Sequence, residues 1–233
     1  MMKYENIVCA TFLRRPNRFI SHCLVDKEEV IVHVKNTGRC KELLIPGATV
    51  YLEHAPSPTR KTDYSLIAVM KGNRLINMDA QAPNKIVSYG LKSGKIVLPN
   101  VSEEISLIKA EHKYGQSRFD FYLETKEGEK VLIEVKGVTL EVDGVVMFPD
   151  APTMRGAKHI RELISAVEAG YKTFVIFIIQ MNDVTYFMPN VARDPRFADI
   201  LKQGNKAGVG ILAYDCCVEA DEIWVNKIVK VVL

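Results

Sequence analysis

Ser117-Arg118-Phe119-Asp120-Phe121, followed after a short polar stretch by Val131-Leu132-Ile133-Glu134-Val135-Lys136, decides how this chain is read. Both segments are rich in β-branched, aromatic and aliphatic residues and read as strands, with Glu127-Gly128 in the polar loop between them. A hairpin closed about position 127 sets Asp120 opposite Glu134. Side chains opposed in this way on one face stand about 5 Å apart, and like charges there repel. Glu134 also interrupts an otherwise apolar strand bound for the core. A buried carboxylate pair is costly unless a positive group neutralises it. A hard divalent cation does so through oxygen ligands, and Mg²⁺ typically takes one or two carboxylates plus substrate phosphate. Lys136 lies two residues past Glu134 and so points to the same face. Asp120, Glu134 and Lys136 are therefore the candidate catalytic residues of a metal-assisted phosphodiester hydrolysis, in which Lys136 orients the attacking water or stabilises developing charge. The competing reading is an ordinary ion pair of Lys136 with Glu134 or Asp120 across a sheet face.

The bulk properties narrow the setting without naming a partner. At 233 residues the chain is one large domain or two small ones and can bury a full core. With 48% apolar and 25% charged residues it is an ordinary globular sequence, not a disordered one. A net charge of +3 is too small to identify a ligand, although residues 1–61 hold ten Lys/Arg against six Asp/Glu. The five cysteines (9, 23, 40, 216, 217) are odd in number and form no Cys-x-x-Cys pair, so neither a disulfide framework nor a zinc site is expected. They read as small buried hydrophobes of a reducing compartment. No signal peptide opens the chain, and the longest apolar run, Phe174 to Ile179, is far short of a membrane span. Cytoplasm, with no membrane partner, is the default expectation.

Patterning divides the chain near residue 80. Residues 1–80 hold short strands, among them Val30–Val34, Thr49–Leu52 and Tyr64–Met70, punctuated by Pro46-Gly47 and Pro56-Ser57-Pro58. Several short strands without a long helix predict a small barrel of the OB type. Residues 81–233 alternate between helix and strand. Asn84–Tyr89 and Glu103–Tyr114 are read as helices, and Asp143-Gly144 as a hairpin turn between Val138–Val142 and Val145–Phe148. Ile160, Leu163, Ile164 and Val167 fall at i, i+3, i+4 and i+7 of a helix stopped by Gly170. Thr173–Ile179 is a strand covered on both faces, and a helix over Pro195–Lys206 precedes a strand at Gly210–Ala213. The alternation predicts an α/β domain around a mixed sheet.

These residues resemble the sugar fermentation stimulation protein (SfsA) family. The likeness is carried by Ser-Arg-Phe-Asp-Phe, by Glu134-Val135-Lys136-Gly137-Val138-Thr139-Leu140 and by Phe148-Pro149-Asp150-Ala151-Pro152-Thr153-Met154-Arg155-Gly156-Ala157-Lys158-His159. Arg14-Arg15-Pro16-Asn17-Arg18-Phe19, His33-Val34-Lys35-Asn36-Thr37-Gly38 and Arg60-Lys61 extend it, so that it runs from Tyr4 to Tyr214. Pro152 and Cys40 depart from the residues common in that family, and neither touches the acidic core. The resemblance implies an N-terminal OB-like barrel followed by a PD-(D/E)XK nuclease-like domain of mixed α/β sheet. It implies nonspecific DNA binding, with RNA as a further candidate ligand. In enteric members it also implies an influence on maltose metabolism, through a non-catalytic, DNA-binding transcriptional role. Carried over by position, Asp120 is the motif's aspartate, Glu134 its second acid and Lys136 its lysine. Glu111 falls where such nucleases place another acid on a preceding helix, so the implied metal ligands for Mg²⁺ or Mn²⁺ are Asp120, Glu134 and Glu111.

The basic residues complete the reading. Arg14, Arg15, Arg18, Lys35, Arg39, Arg60 and Lys61 are candidates to line a phosphate-tracking groove on the barrel, with Phe19 or Tyr51 as stacking platforms. Each alone is as well explained as a solvated side chain. Arg118 alternates with Asp120 and either contacts phosphate or pairs with an acid. Arg155, Lys158, His159 and Arg161 crowd the start of a helix, where cations oppose the macrodipole, so they face an external anion or are solvated charge.

Overall fold

A computed structural model describes residues 1–36, 38–56 and 62–233. Arg60 and Lys61, expected on the barrel groove, and Thr37 of the Asn36-Thr37-Gly38 turn lie outside the described residues.

After β1 (Met2–Lys3), the strands β2 (Ile7–Arg14), β3 (Ile20–Val25), β4 (Glu28–Val34), β5 (Thr49–His54) and β6 (Tyr64–Lys71) pair in the order β4-β3-β2-β5-β6. A parallel pairing of β4 with β6 closes them into the five-stranded OB barrel, and β7 (Arg74–Asn77) folds back on β6. Alternation sets the barrel interior: Ala10 and Phe12 of β2 point inward while Thr11 stays in solvent. In β6, Ser65 to Val69 are all buried, because Leu66 and Val69 join one apolar cluster and Ile67 another.

The rest of the chain forms α1 (Ala82–Lys92), β8 (Ile105–Tyr114), β9 (Ser117–Thr125), β10 (Lys130–Val138), β11 (Leu140–Val142), β12 (Val145–Phe148) and α2 (Met154–Glu168). It continues through β13 (Lys172–Ile179), β14 (Tyr186–Pro189), α3 (Pro195–Lys206), β15 (Gly210–Val218) and β16 (Glu222–Ile228). Seven strands make one mixed sheet, β1-β16-β15-β13-β10-β9-β8, with β10, β13 and β15 parallel at its centre. β11, β12 and β14 form a small sheet beside it. Ile86, Val87 and Leu91 of α1 pack with Ile133 and Ile176, while Ile160 and Leu163 of α2 and Leu201 of α3 pack with Leu132, Val175 and Phe177. Neighbouring residues of one strand thus serve opposite faces, and β13 is buried on both, as its unbroken apolar run predicts. Both later helices begin on a side-chain cap: Thr153 Oγ1 accepts the Gly156 N–H (3.0 Å), and Asp194 Oδ1 accepts the Phe197 N–H (3.0 Å).

The expected hairpin has the register read from the sequence, with Lys130 opposite Glu124 and Ile133 opposite Phe121. Residues 103–114 do not form the expected helix; Ile105–Tyr114 is β8, the edge strand of the large sheet. Its side chains are mostly exposed, so no apolar alternation marks it as a strand, and pairing with β9 outweighs the helical preference of Ala110, Glu111 and Lys113. Among the cysteines no disulfide forms, and burial pushes the thiols of Cys23 and Cys40 up to about 11 and about 12.

The two halves are clamped together by Glu141, which is buried and takes Lys71 at 2.7 Å and Arg74 at 2.9 Å across from β6 and β7. Burial pushes its carboxyl up, but bonds from Lys71, the Gly144 N–H and Arg74 overcome this and hold it down at about 2. A depressed carboxyl contributes stability that is complete above its ordinary value, near 4.5, and lost as pH falls toward 2. Glu141→Gln should cost about 3 kcal/mol at neutral pH, since it strips a buried acid from two cations. Chemical denaturation as pH falls from 4.5 toward 2 should show the native protein losing stability faster than the variant, across the window set by these two values.

Candidate metal centre

The ladder between β9 and β10 stops at Ile133–Phe121, one step short of pairing Glu134 with Asp120. Alternation breaks at this point. Phe119 belongs to the cluster under α2, yet Phe121 belongs to the cluster under α1. Strand β9 therefore rolls over at Asp120, and the carboxylate enters the gap between strands, where Oδ2 accepts the Val135 N–H at 2.7 Å. From α1, Asn84 Nδ2 donates to the other oxygen, also at 2.7 Å. The same roll shows on the far side of β9. The β8–β9 ladder skips the pair that would set Glu111 against Asp120, and Glu111 takes a left-handed backbone, φ +57°. Sparsely populated backbone of this kind on an L residue is kept only where its surroundings enforce it.

Glu134 is buried (3% exposed) and held from the other face. Its Oε1 meets Nδ1 of His159, on α2, at 2.5 Å and also receives the Lys136 ammonium. Its Oε2 is buried with no hydrogen-bond partner. Burial raises the Glu134 carboxyl, but His159 and Lys136 overcome this and hold it below the usual range. Asp120 moves the opposite way: burial pushes it up, the charge of Glu134 adds to this, and the bonds from Val135 and Asn84 do not restore it. One acid is thus held toward its carboxylate form while its neighbour is pushed toward the neutral one, chiefly by burial and further by the charge of Glu134.

The expectation of two acids squarely opposed on one face is therefore corrected: the ladder pair that would oppose them is missing, and each is anchored by a different helix. Glu111, expected on a helix, stands on β8 and lines with Asp120 an open groove of about 470 Å³, walled on α1 by Asn84, Lys85, Ser88 and Tyr89. Among the described residues no three His, Cys, Asp or Glu side chains gather into a ready-made metal cluster. The fit to a hard cation rests instead on the orphaned Glu134 Oε2, a buried anionic oxygen that an oxygen-seeking ion would satisfy.

Other expectations resolve residue by residue. His159 is no surface contact: it is 4% exposed, bonds Glu134 and lies edge-on to Phe119 with ring centroids 5.8 Å apart. Arg15 donates to the carbonyls of Gly38, Arg39, Arg18 and Asn36 from both terminal nitrogens; it ties these four residues together rather than presenting a fork to a ligand. Lys35 is a strut between Glu53 (3.3 Å) and the buried Asp79 (3.6 Å). Arg14 pairs with Glu29, Arg118 with Glu111 (3.1 Å), and Lys158 reaches the Gln116 carbonyl (3.0 Å) and Glu162 (3.7 Å). Arg18, Arg39 and Arg155 are exposed. Arg14, Arg18 and Arg39 share with Lys41 a groove of about 700 Å³ on the barrel.

Asn84 was not singled out as a site residue by sequence reasoning, because an amide opening a helix carries no signal by itself. Gln180, at the end of β13, donates to Asn77 Oδ1 (2.9 Å) and the Asp79 carbonyl (3.0 Å). Its own Oε1 lies where a Cβ on Gly137 would collide at 2.7 Å, so only glycine fits directly after Lys136. Through its backbone, Gln180 also fastens the barrel to the strand that carries Glu134 and Lys136, accepting the Asn77 N–H and donating to the Val138 carbonyl.

A closed OB barrel followed by a mixed α/β sheet, with Asp120, Glu134 and Lys136 set where one strand pair parts, defines the two-part class to which this chain belongs. Residues 81–222 match the sugar fermentation stimulation protein RE domain, and residues 13–78 the SfsA N-terminal OB domain. The chain belongs to the sugar fermentation stimulation protein family. It is similar to the sugar fermentation stimulation protein homolog of Ruminiclostridium cellulolyticum, 54% identical over 99% of each chain. It is also similar to that of Clostridium beijerinckii, 53% identical over the full length of both. Among solved structures, Pyrococcus furiosus SfsA in complex with Ca²⁺ is 30% identical and superposes with a TM-score of 0.89, covering 100% of this chain and 98% of that one.

Proposed function

We propose that this protein binds nucleic acid without reading its sequence and hydrolyses its phosphodiester bonds with the help of Mg²⁺ or Mn²⁺. The observation that carries the reading is the buried, partnerless Oε2 of Glu134 beside Asp120, with Lys136 on the opposite oxygen. Ca²⁺, the ion complexed by the Pyrococcus furiosus relative, has the same preference for oxygen ligands. Asp120 and Glu134 would hold the cation, with Glu111 on the open groove that Asp120 lines. When bound, such a cation polarises the phosphoryl group and lowers the pKa of a bound water. Lys136, its ammonium beside Glu134, stabilises charge developing on the phosphoryl oxygens. Asn84 and the Val135 N–H fix Asp120, and His159 fixes Glu134, so neither carboxylate needs to reorganise during the reaction.

The test is a cleavage assay of the full chain on single-stranded DNA, duplex DNA and RNA, with Mg²⁺, Mn²⁺ or a chelator. Product is expected with either metal and none with chelator. Retained binding with no product in any metal would instead support a non-catalytic DNA-binding regulator.

A further inference from the structure

The arginines fall into two groups. Arg14, Arg15, Arg74 and Arg118 spend their guanidinium groups on partners inside the molecule. Among the described residues, Arg18, Arg39, Arg155, Arg161, Arg193 and Arg196 form no ion pair and no side-chain hydrogen bond. Three of these, Arg161, Arg193 and Arg196, line one pocket of about 290 Å³ between the starts of α2 and α3. Its remaining wall is largely apolar, with Pro152, Met154, Ala157 and Pro195. Asp194 supplies the only carboxylate in that wall, and both its oxygens are occupied: Oδ1 by the Phe197 N–H and Oδ2 by the Thr153 N–H, at 2.8 Å. One carboxylate against three guanidinium groups leaves the pocket lining with a net positive charge.

Met154 adds an independent sign. It is 86% exposed, a large apolar side chain held in water beside uncompensated cations. Guanidinium forks match pairs of phosphate oxygens, and an apolar surface next to them suits a sugar or base. The loop that leads into the pocket wall at Pro152 also touches a residue of the barrel groove. Asp150, just ahead of α2, accepts the Arg39 N–H at 3.1 Å, and Arg39 lines the groove with Arg18 and Lys41.

We infer that the pocket formed by Arg161, Arg193 and Arg196 is a second nucleic-acid contact, gripping backbone phosphates of a strand that also lies along the barrel. This rests on the nucleic-acid binding proposed above and adds a surface that neither the barrel groove nor the metal centre includes. Labelled DNA oligonucleotides, with metal chelated, are titrated with the full chain across a salt series and followed by fluorescence anisotropy. Arg193→Ala with Arg196→Ala should lower the slope of log affinity against log salt by about 1.4 to 1.8, two phosphate contacts' worth, and weaken binding most at low salt. Arg193→Lys with Arg196→Lys should keep most of the slope, and both pairs should melt like the native protein. Native slope and affinity in the alanine pair would overturn this inference while leaving the proposed function standing. A native protein that shows no salt-dependent binding would overturn both.

Discussion

Asp120→Asn, Glu134→Gln and Lys136→Ala should each reduce cleavage by about three orders of magnitude, the loss expected when one charged group that acts on the transition state is removed. The three losses have different origins. Glu134→Gln replaces the orphaned anionic oxygen by a neutral one, so the cation loses its only unshared carboxylate oxygen in the buried part of the site. Asp120→Asn keeps the bond from the Val135 N–H or from Asn84 but removes the second charge. Lys136→Ala removes the ammonium and leaves His159 as the remaining partner of Glu134 Oε1. Single-turnover rates on a duplex substrate measure the loss, and anisotropy without metal should show binding within about threefold of native, since none of these side chains lies in either basic groove. A Lys136→Ala protein that cuts at the native rate would reduce the lysine to an ion-pair partner.

His159→Ala should weaken cation binding by about 10- to 100-fold, the usual cost of removing the group that orients a metal ligand. His159 sits on α2, is 4% exposed and holds Oε1 at 2.5 Å, which leaves Oε2 as the free oxygen. Without the ring, Glu134 gains rotational freedom and Lys136 alone competes with the cation for it. Calorimetric titration with Mn²⁺ or Ca²⁺ reads this directly, without any turnover. His159→Asn, which can still donate to the carboxylate, should recover part of the affinity. Native affinity in His159→Ala would show the ring to be packing for Phe119 and nothing more.

The sequence made the acidic hairpin legible because two opposed acids in apolar strands are hard to explain otherwise, and the register about position 127 is the one observed. β13 was legible from its unbroken apolar run and α2 from the period of Ile160, Leu163, Ile164 and Val167, whereas α1, read only as Asn84–Tyr89, extends over Ala82–Lys92. β8 was not. An edge strand with one paired side carries little apolar pattern, and its residues favour helix when read alone. The roll of β9 at Asp120 was equally hidden, since alternation in sequence cannot show where a strand changes face. Partnering of cations is the largest gap. Arg15 and Arg18 look alike in the sequence, yet one is consumed by four backbone carbonyls and the other is open to solvent. His159 looked like one more basic residue on a helix until its depth and its bond to Glu134 were known.

One apolar cluster runs without interruption from Phe12, Val32 and Leu52 of the barrel to Phe177, Phe187 and Leu201 beyond it, and Gln180 accepts the Asn77 N–H across the join with its carbonyl (2.9 Å). Dissection by truncation is therefore a poor route to this protein. A fragment cut near residue 80 would carry a raw greasy face into water and tend to precipitate, and its inactivity would say nothing about which half does the chemistry.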